Sequence, residues 1–317
     1  MLQLALPRLG CAAGRFALLG MAAALLLRPT PADAGSCCGG SAGPSLVVPK
    51  LFSGRMELSF DWEKYDGFWN EDGELTSDPP GSDLNQYRLN VAYAQRVFST
   101  WQLYAGVPYV WNDNRYSGES SHTDGLGDTS LGGWWEAPGG WLYLGPGLTV
   151  PTGVSPYDDV DSSFDVTGRG FYRLDANAMV EKTFGAWDLS LLLTYGWPFE
   201  RSVNQEYGKD VEPYDKRLGN RFLGTASASY TLTAGPGRWT GTGGVTYLQE
   251  EDGTIDGHRD PTSGFRKTSV LGTVAYTTLD RAWSLKASWS HALQEDGWGE
   301  NFPTTDTYTV GISHAFR

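Results

Sequence analysis

The chain has 317 residues, 37 acidic against 24 basic, and a formal net charge of -13 at pH 7. So acidic a surface repels nucleic acid and anionic lipid headgroups, which excludes both as partners held by charge. Mean hydropathy is -0.35, and no stretch after Leu27 holds the roughly 20 apolar residues a membrane helix needs.

In chain order, the first element is an apolar run, Phe16 to Leu27, preceded by Arg8 and Arg15 and followed by Ala32-Asp33-Ala34. The run is shorter than a bilayer crossing and ends in a small-x-small site. Residues 1–34 are therefore predicted to be a secretory signal peptide. Residues 35–53 follow as a periplasmic N-terminal tail carrying Cys37-Cys38-Gly39-Gly40. In an oxidising compartment adjacent thiols can close a vicinal disulfide, bind a soft metal such as Cu(I), or bridge to a partner.

From residue 54 to 317 the dominant signal is alternation. Met56, Leu58, Phe60 and Trp62 interleave with Arg55, Glu57, Ser59 and Asp61. Trp187, Leu189, Leu191, Leu193 and Tyr195 share one face, opposite Asp188, Ser190 and Thr194, with Leu192 as the exception. A period of two over eight or more residues is a strand with one apolar face. About twelve such strands are predicted, near 54–66, 83–96, 100–112, 127–137, 141–151, 169–183, 187–198, 217–232, 238–250, 265–278, 281–293 and 304–317.

The connections between them alternate short and long. The long ones, 67–82, 113–126, 152–168, 199–216, 251–264 and 294–303, are polar. Tight turns alternating with long loops, on an even number of strands, mark an antiparallel transmembrane β-barrel of the outer membrane. Both termini then fall on the periplasmic side. Trp101 and Trp111, and likewise Trp187 and Trp197, lie ten residues apart on one face of a strand. On a strand tilted by about 45° that spacing rises roughly 23–25 Å, the height of a barrel's apolar band. The last strand carries Gly311, His314 and Phe316 and resembles the terminal signal read by the barrel-insertion machinery, although Arg317 follows the aromatic.

Two segments carry a family resemblance. Gly125-Leu126-Gly127-Asp128-Thr129-Ser130-Leu131-Gly132 opens the fourth strand, and Leu144-Gly145-Pro146-Gly147-Leu148-Thr149-Val150-Pro151-Thr152-Gly153 closes the fifth. Together they resemble the outer-membrane transporter family named after the MetA pathway of phenol degradation, a loose relative of the fatty-acid and toluene channels. The resemblance implies a barrel of about twelve strands that passes small, often aromatic, molecules. Read from the residues alone, Gly125 and Gly127 permit a turn and Asp128 caps it.

If the aromatic faces meet lipid, then Arg55, Glu57, Asp61, Arg88, Asn90, Arg173, Asp175, Glu181, Asp188 and Lys286 point inward, because a lipid-facing Arg or Lys costs about 2–4 kcal/mol at mid-depth. Inside, such charges either pair and fill the lumen or line a wet path. Among rival chemistries, the histidines His122, His258, His291 and His314 have no Gly-x-Ser-x-Gly elbow to serve, and Ser290 and His291 alternate faces, so no enzyme is expected. The acidic loop with Asp158, Asp159, Asp161 and Asp165 could bind Ca²⁺ or bridge lipopolysaccharide through divalent ions, although its spacing is not that of an EF-hand and a solvated loop accounts for it as well. The sequence therefore predicts a passive outer-membrane transporter of small molecules. The alternatives are a non-transporting barrel that anchors the Cys-Cys tail and, more distantly, a lipid-modifying enzyme. Expected partners are outer-membrane lipid and lipopolysaccharide, the insertion machinery and a small-molecule solute.

Overall fold

The computed structural model describes residues 46–69, 74–160, 163–261, 263–293 and 304–317. The signal segment, Cys37, Cys38 and Asp161 lie outside the described residues. Twelve strands form the wall: β1 (Gly54–Tyr65), β2 (Asp83–Phe98), β3 (Trp101–Tyr116), β4 (Glu119–Leu126 and Thr129–Glu136, broken at Gly127-Asp128), β5 (Leu142–Val150) and β6 (Arg173–Phe184). They continue as β7 (Trp187–Pro198), β8 (Arg221–Ala234), β9 (Gly237–Glu250), β10 (Phe265–Thr278), β11 (Trp283–Leu293) and β12 (Thr304–Phe316). Each pairs antiparallel with its neighbours in sequence, and β12 returns to β1 in a register running from Gly54↔Phe316. The sheet is therefore a closed ring with no free edge, as a bilayer requires of a spanning sheet.

Alternation fixes which face meets lipid. Met56, Leu58, Phe60 and Trp62 are exposed, while Glu57, Ser59 and Asp61 between them are buried. Trp101, Trp111, Trp187 and Trp197 all lie on the exposed outer face. Trp62 stacks on Tyr87 and Tyr308, which extends the aromatic belt around the ring. A continuous apolar band of this size is not stable against water and is the lipid-contact surface of a membrane barrel. The tight turns use the geometry expected of two-residue hairpins, with Gly185 at φ 62° and Gly235 at φ 61°.

Four long connections predicted as loops contain strand pairs instead, the first a short one of Phe68–Trp69 with Leu75–Thr76. β3 runs on to Tyr116 and pairs with Glu119–Leu126. Arg201–Glu206 and Lys209–Arg217 form a further hairpin, which joins Gly253–Ile255 and His258–Asp260 in a four-stranded sheet. The physical reason is that these segments stand clear of lipid, so none carries the long apolar outer face that marks a wall strand; their few apolar side chains, such as Val203 and Tyr214, pack on the inward loop instead. Glu119–Leu126 has a strand partner, β3, on one edge only. The start of β1 and the end of β12 lie together at the short-turn end of the ring.

Candidate functional site: the barrel lumen

Three layers occupy the lumen. At the short-turn end, Leu46, Val47, Val48 and Phe52 are buried among the inward side chains Ala92, Ala94, Tyr104, Trp134, Tyr143, Met179 and Leu192. The segment before β1 thus folds up inside the ring, where sequence patterning places only a tail. The Val48 N–H donates to Gln102 Oε1 at 2.7 Å, and Arg96 donates to the Val48 carbonyl at 3.0 Å. Arg96 and Lys50 both reach Glu136, at 2.9 and 3.7 Å. The insertion also explains Leu192. That residue breaks the polar inner pattern of β7 because it faces this apolar cluster. Gly132 is required here, since a Cβ would lie 2.3 Å from the Tyr104 hydroxyl.

The middle layer contains the predicted inward charges, and most are matched to partners. Lys286 Nζ lies 2.6 Å from Glu57 Oε1, and Arg55 lies 3.3 Å from Glu57 Oε2. Asp61 accepts from Asn90 at 2.8 Å and from Thr309 at 2.7 Å. Arg88 pairs with Glu63 at 3.0 Å, and Arg173 with Asp175 at 2.7 Å. Asp188 accepts from Thr183 at 2.7 Å. Glu181 is buried beside Asp188 and faces it carboxyl to carboxyl. Arg55–Glu57 and Arg173–Asp175 are two residues apart on one strand and Arg88–Glu63 is a diagonal pair on adjacent strands, whereas Lys286 reaches Glu57 across β12, over the side-chain-free Gly311.

At the long-loop end, residues 151–160 and 163–172 fold inward. The inward side chains of Asn112 and Asn114 donate to the carbonyls of Val166 and Phe164, at 2.9 and 3.3 Å. The resemblance motifs meet here. Asp128 accepts the N–H of Gly153 at 3.3 Å and of Arg169 at 2.8 Å. Thr152 Oγ1 donates to the Gly127 carbonyl at 2.6 Å, and Thr167 Oγ1 to the Leu126 carbonyl at 2.7 Å. Gly127 has no room for a side chain: a Cβ would sit 2.9 Å from Pro108 and 3.2 Å from the Thr167 carbonyl. Gly125 lies close beside Thr167. The break in β4 is thus the clasp of the inward loop, and the turn-and-cap reading is extended to a long-range role. Above the loop, Tyr157, Phe171 and Val203 form a second apolar cluster with Val211, Tyr214 and Leu218.

Other candidates fall apart in space. His122 contacts Asp113 at 3.1 Å on the surface, and His291 contacts Asp306 at 3.1 Å. His314 packs on Trp283 and Phe316, and His258 is exposed in its hairpin. In the acidic loop Asp158 bonds Ser155 and Arg201, while Asp165 accepts from Ser121. Among the described residues no group of three or more His, Cys, Asp or Glu could hold a metal ion. Sequence reading missed Arg96, Gln102, Glu136, Arg169, Arg221 and Glu250. Of these, the run Leu46-Val47-Val48 ahead of the first strand was the one signal that could have pointed to the inserted segment and its polar partners.

Comparison with known proteins agrees with this architecture. An outer-membrane channel from Pseudomonas putida F1 superposes with a TM-score of 0.64 at 17% identity, covering 88% of this chain and 100% of that one. The beta domain of the Bordetella autotransporter BrkA superposes at 0.52 with 13% identity, covering 84% and 100%. No curated protein matched the sequence. The chain is an outer-membrane β-barrel and belongs to the family described as MetA-pathway of phenol degradation, whose model matches residues 78–310.

Proposed function

We propose that the barrel passes small molecules, among them ones with apolar or aromatic bodies, passively across the outer membrane, and that it does so when its two inserted segments move. The observation that carries this reading is the nature of the obstructions. The wall is a complete ring, but its lumen is occupied by residues 46–52 at one end and by 151–160 and 163–172 at the other, none of them a wall strand. The inner one is held chiefly by apolar packing and the outer one by hydrogen bonds from loop to wall, so both can leave with every strand ladder of the ring intact. Family membership supports the same reading.

In this reading the long loops face the exterior, and the short turns and both chain ends face the periplasm. Arg55, Glu57, Asp61, Arg88, Asn90, Arg173, Asp175, Glu181, Asp188 and Lys286 set what passes between the two segments. Gly125, Gly127 and Asp128 hold the outer one. The full pairing of Glu57 and Asp61 favours a second reading, a closed barrel that anchors the Cys37-Cys38 tail. One experiment separates them: swelling of proteoliposomes in a panel of small polar and hydroxylated aromatic solutes that lipid alone holds back. The transport reading expects entry faster than into protein-free vesicles for at least one solute class. Equal rates for every solute leave the anchor reading in its place.

A further inference from the structure

The inner surface of the ring has two unlike halves. On β8 to β11, below the level where Arg221 stands across from Glu250, hydroxyl groups dominate. Ser229, Thr242, Thr273 and Ser288 form one row across the four strands. Ser229 and Thr242 lie 2.8 Å apart, and Thr273 donates to Ser288 at 3.0 Å. The rows on either side repeat the pattern, with Thr225 3.1 Å from Thr246 and Thr231 2.8 Å from Thr240. Between those two rows Lys286 is the one charged inward side chain among the described residues, and Glu57 holds it at 2.6 Å.

Neither inserted segment leans on this stretch. The apolar cluster around residues 46–52 takes its wall partners from β2 to β7 and from the end of β12, and among the described residues none of its members lies on β8 to β11. Its polar ties run to Arg96, Gln102 and Glu136, on β2, β3 and β4. The outer segment is clasped by Asn112, Asn114 and Asp128, on β3 and β4, and meets β9 at its very end, where Arg169 bonds Glu250. Burial follows the same division. Ser59, on the opposite wall, is 1% exposed, whereas the same side chain at Ser227, Ser288 and Ser290 is half-buried, and Ser229, Thr242 and Thr273 are 6–7% exposed. Small inward side chains on β8 to β11 leave room that Arg, Glu, Tyr and Trp fill elsewhere in the ring.

We infer that the solute path is a crescent along the inner face of β8 to β11, and that it takes uncharged small molecules bearing hydroxyl or carbonyl groups. Two hydroxyls bonded to each other spend one proton on that bond, so one O–H and several lone pairs remain for a solute. Gly244, Ala275 and the threonine methyl groups offer an apolar body a surface with no polar atom to desolvate. An ion meets no counter-charge there, and stripping water from an unpaired charge is costly. The charges of the middle layer, paired among themselves, shape the choice by filling the rest of the lumen. The inference deepens the transport reading by naming the path and the solute class, and it rests on that reading for flux but not for the existence of the crescent.

The test reads access with thiol reagents. The full chain, carrying C37S and C38S and refolded in detergent micelles, receives one cysteine at a time: S227C or S290C on the crescent, S59C or A92C on the packed wall. Three methanethiosulfonates share a reactive head and differ in their tails, which are hydroxyethyl, trimethylammonioethyl and sulfonatoethyl. Each rate is divided by that of a free thiol with the same reagent. The crescent cysteines are expected to react with the neutral reagent at least about tenfold faster than the packed-wall ones, and at least about tenfold faster than with either charged reagent. Heat-modifiable gel mobility selects folded barrels, and S288C replaces a crescent variant that does not fold. Crescent cysteines labelled no faster than those of the packed wall overturn the path. Equal rates for neutral and charged reagents overturn the solute class. The expected labelling without flux of any solute into vesicles keeps the crescent and removes the transport reading, whereas flux with labelling at the packed wall alone keeps transport and removes the crescent.

Discussion

Glu57 is 6% exposed and depends on two cations, Lys286 at 2.6 Å and Arg55 at 3.3 Å. A buried carboxylate that loses one charged partner retains much of its desolvation cost. K286M is therefore expected to destabilise the barrel by about 1–3 kcal/mol in urea unfolding from lipid vesicles. E57Q in the same background should recover part of that loss, because the group left unpaired is then neutral. If the double variant is as unstable as the sum of the single ones, the pair is not coupled. Asp158, in the inward loop, gives a second residue-level expectation. Partial burial would raise its pKa, but hydrogen bonds from Ser155 and Arg201 outweigh this and hold it below the ordinary value. A depressed carboxylate pKa contributes stability that is present above the ordinary value near 3.8 and lost as pH falls through the folded-state value. Docking of the loop against the Arg201–Glu206 strand should therefore loosen on acidification below about pH 4. Hydrogen exchange of the Gly208 amide, which donates to the Asp158 carbonyl, should report that change, and D158N should flatten its pH dependence.

Among the elements, the two inserted segments are where structure and proposed function meet. Replacing Leu46-Val47-Val48 by Gly-Ser-Gly removes the apolar contacts that hold the inner segment and leaves the wall untouched. Bilayer conductance is expected to rise severalfold over the wild type; unchanged conductance would mean that this segment is not the barrier. D128A removes the acceptor shared by the Gly153 and Arg169 amides, and bonds to a charged acceptor are worth about 1.5–3 kcal/mol each. Limited proteolysis should then cut within residues 151–169 at concentrations that leave the wild type intact.

These elements were unevenly legible in the amino-acid sequence. All twelve wall strands could be placed because lipid imposes an apolar outer face, as in Met56 to Trp62. Asn112 and Asn114 carry no such imprint. They lie at the end of β3 beyond the belt residue Trp111, where the strand has left the lipid and polar residues stand on both faces. Residues 46–52 were hidden for a different reason: the apolar run Leu46-Val47-Val48 is visible, but the inner wall that buries it is assembled from distant strands. The inward charges were placed by an energetic argument about lipid, but their partners depend on strand register. Arg221 and Glu250 stand directly across from each other on β8 and β9, a juxtaposition that becomes visible only once the strand register is known.

The whole molecule is a lipid-facing cylinder with its chemistry inside, and one substitution tests that layout. Leu191 lies on the exposed face in the middle of β7. L191R should cost about 2–4 kcal/mol in unfolding from vesicles. L232R, near the short-turn end of β8, should cost about 0–1 kcal/mol, because its charge reaches the interface. Equal costs at the two positions would contradict the depth assigned to the aromatic belts.

The pairing of β1 with β12 has a consequence for assembly. Ser53, the residue after the inner segment, donates its N–H to the carbonyl of Phe316 at 2.8 Å. The ring can close only when the last-made strand arrives beside the first-made one, so the slowest contact in the chain spans its whole length. Residues 46–52 enter β1 directly at that seam. Joined to the seam strand, they can still reach the finished cylinder through its short-turn end, so the opening that admits them is the one that lets them leave.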